Sequence, residues 1–235
     1  MTGLPTVQIV ILAAGIGTRL GRPNPKPLTP LADGRSILIQ QLENCRTVFG
    51  DAARFVIVVG FKHGLVMEAV PDALFAYNEN FDQTNTSRSL LKALRNTGDG
   101  PVIWMNGDVV FDPEVLRRLQ PCLDADRSAI AVNTAAVGDE EVKYTVGADG
   151  LVRELSKGVR EPLGEAVGIN LVAARDKAAL IRRLDECDDS DYFERGIELA
   201  ITHDGVQFEP VDISDLFAVE VDFVEDLARA NEHRG

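Results

Sequence analysis

The sequence predicts an α/β fold with a mostly parallel central sheet and helices on both faces. Two observations carry this. The runs "VQIVILA" and "RFVIVVG" are continuous, apolar and β-branched, as strands buried on both faces should be. They alternate with segments of helical spacing, giving four strand–helix units in series through the first half. Serial units of this kind build a parallel sheet, with ligands at the carboxyl ends of the strands.

The elements follow in order. After "VQIVILA" comes a helix in "SILIQQLENCRTVF", with Ser36 as its N-cap. "RFVIVVG" is the second strand and "GLVMEAV" a short helix. "ALFAYN" is the third strand. "NTSRSLLKALRN" is a helix started by Asn85 or Thr86. "PVIWMNGD" is the fourth strand, and "DPEVLRRLQPCL" opens with Asp112 as cap and Pro113 as first helical residue. Beyond it, "SAIAVNTAAV", "VKYTVGADGLVREL" and "AVGINLVAA" read as strands, the middle one a hairpin around "ADG". Helices are expected at about 175–186 and 191–202, short strands in "VQFEPV" and "LFAVEV", and a closing helix in "FVEDLARANEH". No repeat or linker interrupts the 235 residues. One domain is expected, with a first half to about 135 and a second, closing half from about 136 to 235.

Formal net charge is −13, which argues against general affinity for nucleic acid or anionic lipid. Cys45, Cys122 and Cys187 are far apart and lack metal-ligand spacing, so they read as reduced thiols in a cytoplasmic protein. No apolar run reaches membrane-spanning length, and no stretch reads as a signal peptide.

Against this acidity stands "LAAGIGTRLGRPNPKPL". No carboxylate precedes Asp33, and the stretch holds Arg19, Arg22 and Lys26. A glycine loop after a strand suggests an anion nest of backbone N–H groups. The dinucleotide fingerprint fails because position 20 is Leu, and the Gly-Lys-Ser/Thr of a Walker loop is absent. What remains is a backbone cradle with its own cations. Asp108 ends the fourth strand beside it, and Asp222 lies between a late strand and helix; both suit a hard, oxygen-loving cation such as Mg²⁺.

"LAAGIGTRL…PKPL" resembles the signature of the nucleotidyltransferases that activate sugar phosphates and related phosphoesters. Its spacing is closer to the small cytidylyltransferases that act on choline phosphate and phosphonates. The resemblance implies a Rossmann-like three-layer α/β/α nucleotidyltransferase fold. It implies that Leu12, Ala13, Ala14, Gly15, Gly17 and Thr18 wrap the nucleotide while Arg19 and Lys26 hold its phosphates. Asp108, after Gly107, and Asp222 then hold Mg²⁺. Glu220 either supports Asp222 or faces solvent. "NENFDQTNTSRSL" is similar to the segment bordering the cytosine and acceptor, which implies roles for Asn78, Thr84, Asn85 and Ser89. Thr86 and Arg88 depart from that pattern. Lys157 in "ELSKG" is similar to the family's acceptor lysine, and Arg88, Arg160, Tyr192 and Glu194 are expected around the acceptor. Arg88 favours an anionic phosphonate over phosphocholine, whereas Glu194 suits an amine.

The implied reaction is Mg²⁺-dependent transfer of CMP from CTP to a small phosphonate or phosphate monoester. The rivals are a sugar-1-phosphate uridylyl- or thymidylyltransferase and a non-catalytic nucleotide sensor. A glycosyltransferase would want Asp-x-Asp at the strand end, where "NGDVV" stands.

Overall fold

The computed structural model describes residues 6–233 apart from residues 22, 136, 139 and 140. In chain order the first half holds β1 (Val7–Ala13), α1 (Ile37–Phe49), β2 (Ala53–Val59), α2 (His63–Ala69), β3 (Leu74–Tyr77), α3 (Thr86–Leu94), β4 (Val102–Asn106), β5 (Val109–Phe111) and α4 (Glu114–Asp124). The second half holds β6 (Ser128–Asn133), β7 (Lys143–Val146), β8 (Val152–Ser156), β9 (Gly164–Val172), α5 (Ala174–Glu186), α6 (Phe193–Asp204), β10 (Phe208–Asp212), β11 (Ala218–Glu220) and α7 (Val224–Glu232).

Strand β1 sets the layers. Ile9, Ile11 and Ala13 meet Leu38 and Leu42 of α1, Val66 of α2 and Leu116 of α4 on one face. Val10 and Leu12 meet Leu90 of α3, Leu180 of α5 and Ile197 of α6 on the other. A strand apolar on both faces over residues 9–13 therefore feeds two cores, and the three layers follow. The strand order is β10-β6-β9-β4-β1-β2-β3, with β7 and β8 attached beside β9. From β3 to β4 all neighbours are parallel. Strand β9 runs antiparallel between β4 and β6, and β10 is parallel to β6. The sheet is thus mixed, mostly parallel in its first half, and it passes through both halves of the chain.

Two local details differ from expectation. Pro113 occupies the cap position of α4, one residue later than predicted; Asp112 still accepts the Glu114 N–H at 2.8 Å, so its capping chemistry remains. Strand β5 has no counterpart in the sequence reading, because three residues are too few to show a period. It pairs antiparallel with β11 in a separate two-stranded sheet. That sheet, with Leu20, Ile37 and Leu227 of α7, forms a third small core.

Cys45, Cys122 and Cys187 are buried free thiols. Among the described residues no helix is long and apolar enough to cross a membrane.

Ser36 caps α1 by accepting the Ile39 N–H at 3.3 Å. Ser36→Ala is expected to cost about 1 kcal/mol, measured by urea denaturation, since it strips an N-terminal donor of its partner.

Candidate active site

A cleft of about 340 Å³ opens at the carboxyl ends of β1 and β4. Its floor comes from the loop after β1. Gly17 has φ +65°, and a Cβ there would lie 2.8 Å from Lys26 Cβ, so glycine both permits the turn and lets Lys26 pack against it. Thr18–Leu20 and Lys26–Leu28 are single 3-10 turns that lead the chain back beneath the cleft. Lys26 is only 9% exposed.

The Lys26 ammonium lies between two carboxylates. It donates to Asp108 Oδ2 at 2.6 Å and also to Asp222 Oδ1. Arg19 donates to Asp222 Oδ2 at 3.0 Å. Burial alone would lower the Lys26 pKa, but Asp108 and Asp222 outweigh it and the pKa rises. Burial likewise opposes ionisation of Asp222, yet Lys26 and Arg19 hold it below the usual carboxylate range.

Asp108 and Asp222 are over a hundred residues apart in sequence. The β5–β11 pairing brings them together, and the Val221 N–H donates to Asp108 O at 3.0 Å. Glu220 faces the same cleft and accepts from Asn106 Nδ2 at 3.3 Å. Burial, then the charge of Asp108, pushes its pKa well up.

The donor set fits magnesium. Both aspartates are hard oxygen ligands, and Asp108 Oδ1 is buried with no hydrogen-bond partner among the described residues. Those residues form no cluster of three or more metal-binding side chains. Magnesium needs none, because one or two carboxylates with substrate phosphates commonly complete its shell.

Leu12, Ala13, Gly15, Gly17, Asn85 and Gly107 line the cleft as well. Asn85 caps α3, accepting the Thr86 N–H at 2.8 Å, and its amide donates to Ser190 O at 3.2 Å. At the far end Lys157 lies 5.4 Å from the Tyr192 ring centroid, a cation–π arrangement. Glu194 is beside them, 7% exposed, and its Oε2 has no hydrogen-bond partner among the described residues. Burial drives its pKa up to about 7, against a smaller opposing pull from Lys157.

Several expected residues lie elsewhere. Arg88 is not at the acceptor. Its guanidinium donates to Asp189 Oδ1 at 2.9 Å, Asp185 O at 3.2 Å and Cys187 O at 2.6 Å, clamping the end of α5 onto α3. Each of its three nitrogens donates into that joint, so Arg88 no longer counts among the reasons for an anionic acceptor. Asn78 is 1% exposed and donates to Thr84 Oγ1 at 3.0 Å and Ser89 Oγ at 3.1 Å. This trio shapes the segment before α3 instead of lining the cleft. Ala14 is buried behind the loop, its carbonyl accepting the Phe61 N–H at 3.0 Å. Arg160 is exposed and outside the lining. Arg22 lies outside the described residues.

The cleft also takes Asn106, Glu141, Gly168 and Phe193, which the sequence reading missed. Gly168 left a signal: a glycine inside a strand marks close approach. Its φ is +71°, and a Cβ would meet Asn106 Nδ2 at 2.8 Å. Glu141 left none, since it sits in an ordinary run of charge.

Anion-holding cations over paired aspartates, at the carboxyl rim of a Rossmann-like sheet, suit nucleotidyl transfer, and the class is that of the nucleotidyltransferases. The chain belongs to the MobA-like NTP transferase domain family, whose model matches residues 9–192. Over 96% of its length it is 31% identical to CMP-5'-(3-aminopropyl)phosphonate synthase of Streptomyces rubellomurinus, and covers 38% of that protein. Over 53% of its length it is 34% identical to the bifunctional protein GlmU of Cupriavidus metallidurans, covering 27% of it. The chain therefore spans less than two fifths of the length of these curated relatives.

Among solved structures, the CTP:phosphocholine cytidylyltransferase LicC of Streptococcus pneumoniae superposes with a TM-score of 0.73 at 18% identity, over 97% of this chain and 98% of that one. The inositol-1-phosphate CTP transferase of T. maritima gives 0.77 at 13% identity, over 99% of each chain. At these identities the likeness is one of fold.

Glu194 supplies a stability test. A carboxyl whose folded pKa is raised contributes stability that is full below its unfolded pKa and is lost as pH rises through about 7. Glu194→Gln should leave stability nearly unchanged at pH 4. At pH 8 it should raise it by up to roughly 3 kcal/mol, read from denaturant midpoints.

Proposed function

We propose that the chain transfers CMP from CTP to a small phosphonate or phosphate monoester. An acceptor oxygen bonds to the α-phosphorus, the bond from that phosphorus to the bridging oxygen breaks, and pyrophosphate leaves. The acceptor oxygen is already ionised near neutral pH, so no general base is required. Catalysis is positioning and charge stabilisation.

The observation that carries this reading is Lys26 seated between Asp108 and Asp222, with Arg19 on the outer carboxylate. Lys26 and Arg19 turn to the triphosphate, while the glycine loop admits it close to the backbone. Asp108 and Asp222 would hold Mg²⁺, which offsets charge at the phosphates when bound. Lys157 orients the acceptor. The two halves of the chain act as one unit, because the metal ligands come one from each.

Cytosine is supported by the CMP-phosphonate relative and by the two CTP-using structural neighbours. A sugar-1-phosphate uridylyl- or thymidylyltransferase is the second reading, supported by the likeness in fold to a UDP-glucose pyrophosphorylase. For the acceptor, Glu194 with Tyr192 suits a positively charged tail, and Lys157 suits the phosphonate. With Arg88 committed to α5, an aminoalkylphosphonate matches this end better than a carboxylated one.

A pyrophosphate-release assay over CTP, UTP and dTTP, with aminoalkylphosphonates, carboxylated phosphonates, phosphocholine and sugar 1-phosphates, decides the matter. CTP with an aminoalkylphosphonate should exceed every other pair by at least about tenfold in kcat/KM. Preference for a sugar 1-phosphate with UTP or dTTP would replace this reading by the second.

Lys26→Ala and Asp108→Asn should each lower kcat by roughly 100-fold or more. Full turnover in either variant would remove that residue from the mechanism.

A further inference from the structure

Asp108 sits on a two-residue step. Strand β4 leaves the main sheet at Asn106, and β5 enters the small sheet at Val109. Gly107 and Asp108 belong to neither ladder. Two main-chain bonds touch the step: Gly107 N–H to Leu12 O at 2.9 Å and Val221 N–H to Asp108 O at 3.0 Å.

A third restraint comes from α1. Gln41 is 0% exposed, and its Nε2 donates to Asn106 O at 2.9 Å and to Val109 O at 2.8 Å. One side-chain amide thus brackets the step on both sides. Its reach is specific. The neighbouring amide, Gln40, is also buried but donates to Phe111 O at 2.8 Å, at the far end of β5. Asn44 donates to that same carbonyl at 2.7 Å. In both glutamines the amide oxygen has no partner among the described residues, so they differ in what the donor holds.

We propose that Gln41 is a positioning residue for the metal-binding carboxylate of Asp108. It acts through the main chain at 106 and 109 and touches neither substrate nor metal. The proposal rests on the reading of Asp108 as a metal ligand. Its physical basis is that two buried carbonyls at a strand's exit must be paired. If Gln41 lacks its donor, both must find new partners, and the step can do so only by moving Asp108. Metal sites respond strongly to such supports, by about 10–100-fold in affinity.

The test is Mn²⁺ binding by electron paramagnetic resonance, with a non-hydrolysable CTP analogue present. It compares wild type, Gln41→Met, Gln40→Met and Asp108→Asn. Gln41→Met should weaken Mn²⁺ binding about tenfold or more, and Gln40→Met by less than about twofold. Thermal unfolding of each variant reports the general cost of losing a buried amide. Gln41→Asn keeps an amide donor one methylene short of the two carbonyls and serves if the methionine variant does not fold; it should also weaken Mn²⁺ binding, by no more than the methionine variant.

Equal effects of Gln41→Met and Gln40→Met on Mn²⁺ binding, with Asp108→Asn strongly weakened, would overturn the positioning role alone. Unchanged Mn²⁺ binding in Asp108→Asn would overturn the metal reading and this proposal with it.

Discussion

The fold turns on one electrostatic problem: several carboxylates meet in a chain of net charge −13. Asp108 and Asp222 share the Lys26 ammonium, with Glu220 beside them. Carboxylates this close cannot all ionise without a cation among them. Lys26 supplies it, and Arg19 takes the outer oxygen of Asp222. At Glu220 burial and the charge of Asp108 outweigh the pull of Lys26, and its pKa is pushed well up. The acid-free first 32 residues have a reason here. A further carboxylate in the loop would compete for the same two cations and would oppose any polyphosphate entering the cleft.

That arrangement needs a structure able to carry Asp222 back to Asp108, and the small β5–β11 sheet does it. Three residues of each strand pair, and a third core of Leu20, Val110, Val219, Val221 and Leu227 is packed around them. Leu20 closes the turn that carries Arg19, and Val110 and Val221 stand close in sequence to Asp108 and Asp222, so the loop and both carboxylates are anchored by this one cluster. Burying apolar surface here fixes charged groups that would otherwise repel one another.

The main sheet was legible because its signals are long. Seven-residue strands with unbroken apolar runs, residues 9–13 and 55–59, announce burial on both faces, and Ser36 announces a helix start. The loop stood out because glycine permits positive φ, as at Gly17, and because its cations stand in an acidic chain; the structure pairs Arg19 and Lys26 with Asp108 and Asp222. What stayed hidden depended on partners far away in sequence. Arg88 reads as a cation looking for an anion, and nothing local shows that carbonyls at 185 and 187 already consume it. Asn78 reads as a base-reading amide, yet Thr84 and Ser89 enclose it. Polar side chains near a helix start have two uses, capping and recognition, and only burial separates them.

The two ends of the cleft obey different constraints. The end with Lys26, Asp108 and Asp222 is crosslinked by ion pairs drawn from three distant segments, so moving one group disturbs the others. The end with Lys157, Tyr192 and Glu194 has a single cation–π contact and a carboxyl with an unpartnered oxygen. Burying Glu194 without a full set of partners costs stability, and the fold gains nothing from it in return. A ligand bearing an ammonium would supply the missing partner. The fold thus satisfies its charges within one end of the cleft and, among the described residues, leaves a buried carboxyl oxygen without a partner at the other.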